Sequence, residues 1–274
     1  MRATLANNRK VVIKASAMQD VRIEAKISMM AAIASVPVPR ILAEGEDALL
    51  PGSHWFAMEH LAGVPWYQAG WILSQSLDML PELAPHFVAL HRIQIEGFGP
   101  LNLNGTGAFT SWPDWLRSGF ERTLKALGPF ALFPRGFPTE LLVALEKLSP
   151  ALAGRPGVLL HADLGEMEVY VAPEGGCITG IVDWGSSIGG DPLYEFSRFV
   201  AGGPVDDPRP SQYRQPLREA YDRLSPSLPP HDPAIERLYD LHNTLLNAEW
   251  AVKEAPDWIA PLCIKAQELL YKIR

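Results

Sequence analysis

The sequence predicts an α+β fold in two parts: a small strand-rich lobe over residues 1–62 and a larger, mainly helical lobe over residues 63–274 interrupted by one β-hairpin. Three observations predict it. β-branched runs with strand character lie near the start of the chain. Apolar residues at helical spacing dominate after about residue 66. Residues 168–183 then return to strand composition around a turn-rich tetrad. A chain of 274 residues with a 47% hydrophobic share is long enough to bury a substantial core.

The elements follow in order. KVVIK at 10–14 reads as a strand, with Asn7 and Asn8 supplying a turn before it. A helix follows, capped by Asp20, with Ile23, Ile27, Met30 and Ala34 at helical spacing. The prolines of VPVP at 36–39 end it, because each pushes its predecessor out of the helical region. ILAEG and HWFAMEHLAG read as a strand and as a strand running into a linker near 59–66, where Gly63 and Pro65 mark a loop. Beyond it, Leu83, Phe87 and Leu90 make one helical stripe. Leu116, Phe120, Leu124 and Leu127 make another, which starts at a capping-box-like Ser111 and Asp114 and stops at Gly128. TELLVALEKL predicts a further helix, and at least two more fill 214–273 after a Pro-rich loop around 201–211.

Composition narrows the function classes. Net charge is −7, and the acidic excess lies beyond residue 60. Such a field disfavours nucleic acid and suits a cationic small molecule. Cys177 and Cys263 are too few for a disulfide framework and fit a reducing cytoplasm. The chain contains no apolar run long enough for a membrane span, and MRATLANNRKVVIK lacks the features of a secretory signal.

The chemistry concentrates in HADLGEMEVYVAPEGGCITGIVDWGSSIGGDP, residues 161–192. EVYVA and CITGIVD are strand-like runs joined by Pro173 to Gly176. Pairing Ala172 with Thr179 would set Glu168 opposite Asp183, and opposed like charges destabilise a sheet unless a cation sits between them. Asp163 lies in a loop able to bend over the same end, so three oxygen-bearing groups could meet there. Magnesium suits such a site, since it takes hard oxygen ligands and completes its shell with water and substrate phosphates.

The order His-x-Asp-Leu, an acid at the hairpin start, Asp-Trp-Gly and then Gly-Asp-Pro resembles the catalytic core of the aminoglycoside phosphotransferase family. This family is a branch of the protein-kinase-like fold that also includes choline kinases and macrolide phosphotransferases. The resemblance runs from the Lys14 strand to about Phe199. It implies an ATP-dependent (or GTP-dependent) kinase that uses Mg2+ to phosphorylate a hydroxyl of a small molecule, such as an aminoglycoside or a related antibiotic. Residue by residue, it implies that Asp163 accepts the substrate's proton and that Glu168 and Asp183 hold metal. Lys14 would hold the nucleotide phosphates and be oriented by Glu24. The backbone of Glu59 and Leu61 would bind adenine, Leu90 and His91 would pack beneath the catalytic loop, and His161 and Asp191 would support the site.

The chain departs from the family pattern in three places. Residue 162 is Ala where the family prefers Gly, which is costly only at positive φ. Residue 168 is Glu where the family has Asn, which adds a charge beside Asp163 and Asp183. Only 13 residues precede Lys14, where the family has another strand and a phosphate-covering loop, so the strand-rich lobe reads as truncated. The alternative is a catalytically impaired kinase homologue that binds nucleotide or a partner without turnover. A metallohydrolase built on His161, Asp163 and Asp183 would leave Lys14, Glu24 and the hinge without roles.

Overall fold

A computed structural model describes residues 2–4, 9–172, 174–201, 209–225 and 232–273. Its first sheet is antiparallel, with strands β1 (Arg2–Thr4), β2 (Lys10–Ala15), β3 (Ile41–Glu46) and β4 (His54–Glu59) in the order β1-β2-β4-β3. The turn expected at Asn7 and Asn8 lies outside the described residues. Between β2 and β3 runs α1 (Val21–Ile33), whose N-cap Asp20 accepts a hydrogen bond from Arg22 N at 3.1 Å. The inward line of α1 differs from the expected stripe. Its buried residues are Val21, Glu24, Ala25, Ile27, Ser28 and Ala31, whereas Ile23 and Met30 are half-buried. The helix packs both on β4 and on the turn that begins at Trp184, so Glu24 lies within its buried face.

The remainder holds more strand than the sequence predicts. β5 (Val64–Pro65) is followed by α2 (Leu73–Asp78), α3 (Leu80–His91), β6 (Phe98–Leu101), β7 (Gly107–Phe109), α4 (Trp112–Leu127) and α5 (Phe137–Leu152). Then come β8 (Val158–Leu160), β9 (Val169–Val171), β10 (Ile178–Ile181), β11 (Ile188–Gly190) and α6 (Pro192–Ala201). The described chain finishes with α7 (Arg214–Leu224), α8 (Pro233–Glu254) and α9 (Ile259–Ile273). Most of the Pro-rich loop around 201–211 lies outside the described residues.

The single expected hairpin is therefore one part of two further sheets, ordered β10-β9-β5 and β7-β6-β11-β8. Segments such as FGPL and IGG are too short and too rich in Gly and Pro to display a two-residue period. The expected linker near 59–66 is not a free loop, because Val64 and Pro65 pair with Val171 and Tyr170. Proline is tolerated there because β5 is an edge strand.

The hairpin register also differs from the expected one. Ile178 pairs with Val171, but Gly180 pairs with Tyr170 and Ile181 with Val169, with an irregularity between Ile178 and Gly180. Thr179 sits at that irregularity and donates its hydroxyl to Ala62 O at 2.7 Å. The shift sets Glu168 against Val182, whose amide donates to Glu168 O at 3.0 Å, so Asp183 is not its cross-strand partner. A bulge inserts one residue, and uniform pairing cannot anticipate it. Gly180 lets Leu61 lie close against the hairpin, since a Cβ on it would come within 2.4 Å of Leu61 Cδ1 and displace that side chain. The segment after β4 is thereby clamped onto the hairpin.

Two large apolar clusters hold the helices. One joins α4, α5, α8 and α9 around Phe120, Leu141, Leu245 and Leu270. The other joins α3, α6 and α7 to the hairpin around Phe87, Val169, Phe199 and Leu217. The predicted stripe residues Leu83, Phe87, Leu90, Leu116, Phe120 and Leu127 all lie in these cores.

Candidate active site

Lys14, near the end of β2, reaches two carboxylates from distant parts of the chain. Its Nζ lies 2.7 Å from Glu24 Oε1 and 2.6 Å from Asp183 Oδ1. Burial alone would lower its pKa, but the carboxylates of Glu24 and Asp183 outweigh burial and hold it above the ordinary value. Burial pushes the Glu24 carboxyl up, partly offset by Lys14. Asp183 follows β10 and adopts left-handed backbone angles with φ 67°, a conformation that aspartate tolerates better than most residues. Its side chain remains 54% exposed, so it can still meet a ligand.

The loop after β8 is held from beneath by α6. Glu195 is fully buried, and its two oxygens accept from His161 N at 2.7 Å and Ala162 N at 3.1 Å. Burial pushes the Glu195 carboxyl up to about 7 against the pull of those two amides. One turn further along α6, Arg198 donates from Nε to Ala162 O at 3.1 Å and from Nη1 to Asn247 Oδ1 at 3.0 Å, and its Nη2 meets Asp163 Oδ1. His161 donates from Nε2 to Val182 O at 2.9 Å, which ties the loop to the segment ending in Asp183. The carbonyl can only accept, so the proton is on Nε2. Burial lowers the His161 pKa and keeps the ring neutral, packed against Trp184.

Ala162 has φ 60°, the conformation that makes alanine costly in place of glycine. Ala162→Gly is therefore expected to raise the unfolding free energy by about 1 kcal/mol in urea titrations. No stabilisation on this substitution would mean that the loop carries no such strain.

Glu168 is half-buried on the same loop, with Oε2 3.3 Å from the position a Gly165 Cβ would take. Burial and the negative charge of Asp163 push its carboxyl up to about 7, with Arg198 offsetting part of the rise and Asp183 adding to it. Among the described residues no cluster of three His, Cys, Asp or Glu side chains is gathered that could hold a metal ion. Magnesium does not need a cage, because one or two carboxylates and substrate phosphates commonly suffice. The charges of Asp163 and Asp183 add to burial in raising the Glu168 carboxyl, and a nearby cation would relieve both effects.

The raised Glu168 pKa has a consequence for the metal-free protein. An acid whose folded pKa exceeds its unfolded value contributes stability that is complete below the ordinary value of 4.5 and is lost as the pH rises to about 7. The unfolding free energy should therefore fall across that window, with Glu168 accounting for about 3 kcal/mol at most. Glu195 adds a slope of the same sign. Glu168→Gln should flatten the curve measurably. An unchanged slope would remove Glu168 as its source.

The family model described as "Phosphotransferase enzyme family" matches residues 9–248. The chain belongs to the phosphotransferase enzyme family. It is a small-molecule kinase by that membership. The search of curated proteins returns no match. Among solved structures, a thermostable mutant of aminoglycoside phosphotransferase APH(4)-Ia, in ternary complex with ADP and hygromycin B, is similar at TM-score 0.72 and 20% identity, covering 99% of this chain and 92% of that one. A putative aminoglycoside phosphotransferase from Ralstonia eutropha is similar at TM-score 0.64 and 16% identity, covering 99% and 88%. A choline/ethanolamine kinase family protein from Mesorhizobium loti follows at 0.62 and 18%, covering 95% and 82%. These likenesses establish the protein-kinase-like fold.

In this phosphotransferase the structure brings Lys14, Glu24 and Asp183 into contact, with Asp163, Glu168 and His161 on the adjoining loop. Asp191 lies deeper, at the start of α6. Its Oδ1 accepts from Leu193 N at 3.0 Å and its Oδ2 from Tyr239 OH at 2.6 Å. The Glu59 carboxylate faces outward to Arg9 and Arg40, while its backbone ends β4. Leu61 lies against the hairpin at Gly180. Leu90 lies in the apolar cluster that also holds Leu164 of the catalytic loop and Val169 of the hairpin. His91 contacts Phe87, Phe196 and Tyr221, and none of its hydrogen bonds reaches the catalytic loop. Sequence reading missed Glu195, Arg198 and Asn247. Glu195 and Arg198 carried a usable signal: an acid and a base three residues apart among Leu193, Tyr194, Phe196 and Phe199, in a mostly apolar helix. Nothing marked Asn247.

Proposed function

We propose that the protein moves the γ-phosphate of ATP to a hydroxyl of a small molecule of the aminoglycoside type. The observation that carries this reading is the contact of Lys14 with both Glu24 and Asp183, residues separated by most of the chain. An ordinary surface ion pair would not need a buried carboxylate, Glu24, and a second, solvent-accessible one, Asp183, converging on one half-buried ammonium.

In this reading residues 1–62 form the nucleotide-binding lobe and residues 63–274 the acceptor-binding lobe. Lys14 binds the nucleotide's α and β phosphates, with Glu24 orienting its ammonium. The backbone of Glu59 and Leu61 borders the adenine. Glu168 and Asp183 would hold magnesium, which when bound neutralises charge on the β and γ phosphates. Asp163 accepts the hydrogen bond of the acceptor hydroxyl and takes its proton as the new bond to phosphorus forms. His161 and Glu195 keep the loop backbone in place while Asp163 acts, and Asp191 anchors the start of α6.

The acceptor class is supported by the hygromycin B and ADP bound together in the APH(4)-Ia complex and by the acidic excess beyond residue 60. The test is ATP consumption with magnesium against hygromycin B, other aminoglycosides, macrolides, choline and homoserine. Phosphorylation of an aminoglycoside supports the reading, and consumption with choline alone moves the acceptor class. A second reading, nucleotide binding without turnover, is favoured by the charge Glu168 adds at the site. It predicts ADP binding in the same protein with no acceptor consumed.

A further inference from the structure

We infer that Glu166 is a positioning residue: its carboxylate ties the middle of the catalytic loop to the start of α7 through Tyr213 and Arg209, and so fixes where Asp163 stands relative to Glu168. The inference rests on the phosphotransfer reading of the site, which by itself gives Glu166 no role.

An acid on a loop ordinarily turns to water, and one that is buried needs partners. The Glu166 side chain is only 10% exposed, whereas its neighbour Met167 points outward. Glu166 Oε1 accepts from Tyr213 OH at 2.5 Å, and Oε2 lies 3.4 Å from Arg209 Nη2. The backbone carbonyl of the same residue accepts from Tyr67 N at 3.1 Å. Glu166 therefore joins three segments: the stretch after β5, the catalytic loop and the residues leading into α7. The anchor is firm. Tyr213 is fully buried, with its ring stacked on Trp66 at 6.0 Å between centroids and packed beside Phe199. Trp66 in turn donates from Nε1 to Ser76 Oγ on α2 at 3.1 Å. A buried phenol needs an acceptor, and a carboxylate gives it a short, strong hydrogen bond.

The place of the tie in the loop gives it a function. The loop is gripped at its start, where α6 holds His161, Ala162 and Asp163, and it ends where β9 begins at Val169. Between these points Gly165 O accepts from Glu168 N and Val169 N, both at 3.3 Å, in a turn whose second residue is Glu166. Asp163 and Glu168 stand on either side of that residue, so a shift of the turn changes their separation. A misplacement of about 1 Å can cost about a hundredfold in rate. The task requires reach more than charge, because the carboxylate must span from the loop to a hydroxyl held in the core.

The test compares wild type with Glu166→Gln, Glu166→Asp, Tyr213→Phe and the Glu166→Asp/Tyr213→Phe double variant. The first readout needs neither metal nor substrate: hydrogen exchange of the Tyr67 amide, which is bonded to Glu166 O. Exchange should quicken about tenfold in Tyr213→Phe and Glu166→Asp while the amides of α4 and α5 keep their rates. The second is ATP turnover with magnesium and hygromycin B. Tyr213→Phe and Glu166→Asp should each lower kcat about tenfold or more, with KM for ATP within about twofold. Glu166→Gln keeps the reach and an oxygen for Tyr213, so its kcat should stay within about threefold of wild type. The double variant should be no worse than Glu166→Asp alone, because both changes break one tie. Tyr213→Phe removes a single oxygen and leaves the packed ring, which keeps the test open if an acid variant folds poorly. A wild-type kcat in both Tyr213→Phe and Glu166→Asp would overturn the inference, as would exchange that quickens equally throughout the protein. A raised KM for hygromycin B in Glu166→Gln but not in Glu166→Asp would overturn it too, by making Glu166 an acid that meets a cationic acceptor. Faster Tyr67 exchange with no turnover in any protein, wild type included, would sustain the tie and reject the phosphotransfer reading. Wild-type turnover with unchanged Tyr67 exchange in every variant would do the reverse.

Discussion

Asp163→Asn is expected to lower kcat for phosphorylation of any accepted hydroxyl by about a thousandfold while leaving nucleotide affinity nearly unchanged. The residue stands at the loop tip with its Oδ1 on Arg198, its side chain is 38% exposed, and Lys14 and Asp183 lie on a separate arm of the site. Asparagine is the informative replacement. It keeps an oxygen for Arg198 to donate to, whereas alanine would strand a largely buried guanidinium, a loss of about 3 kcal/mol or more that could be mistaken for lost chemistry. The expected pattern is a collapsed rate, an ADP affinity within a fewfold of wild type by calorimetry, and an unfolding midpoint close to wild type. A kcat within about tenfold of wild type would show that Asp163 does not accept the proton.

Glu195→Ala should produce the largest stability change. It removes both acceptors of the His161 and Ala162 amides and strands one donor in a fully buried place and the other in a half-buried one. Each stranded donor costs about 1–3 kcal/mol, so a loss of about 3 kcal/mol or more is expected in urea unfolding at pH 8. Activity should fall further than stability requires, because Asp163 is the next residue along the loop. Glu195→Gln keeps the shape but turns an amide group toward one of the two N–H donors, so an intermediate loss is expected. A loss below about 1 kcal/mol for Glu195→Ala would mean that the loop holds its own conformation without α6.

Much of the site was legible because its residues carry their chemistry in a fixed local order. His161, Asp163 and Glu168 lie within eight residues, Asp183 closes the following strand segment, and Asp191 precedes a helix-starting proline. Lys14 and Glu24 were legible through the family resemblance alone, since residue type and spacing by themselves fit a surface ion pair equally well. The hairpin register was not, because the bulge at Thr179 is bound up with a hydroxyl bonded to Ala62, more than a hundred residues away in sequence. The short strands β5, β6, β7, β8 and β11 were not either, since two to four residues cannot display a period and their pairing comes from neighbours.

By itself the sequence determined the class of fold, the order of the chemical groups and the departure at Glu168. These depend on residue identity, spacing and local periodicity. Only the tertiary structure decided which charges face one another: Glu195 on the loop amides, Arg198 on Asp163, and Lys14 between Glu24 and Asp183. The strength of such contacts depends on burial, and burial is set by the packing of elements far apart in the chain.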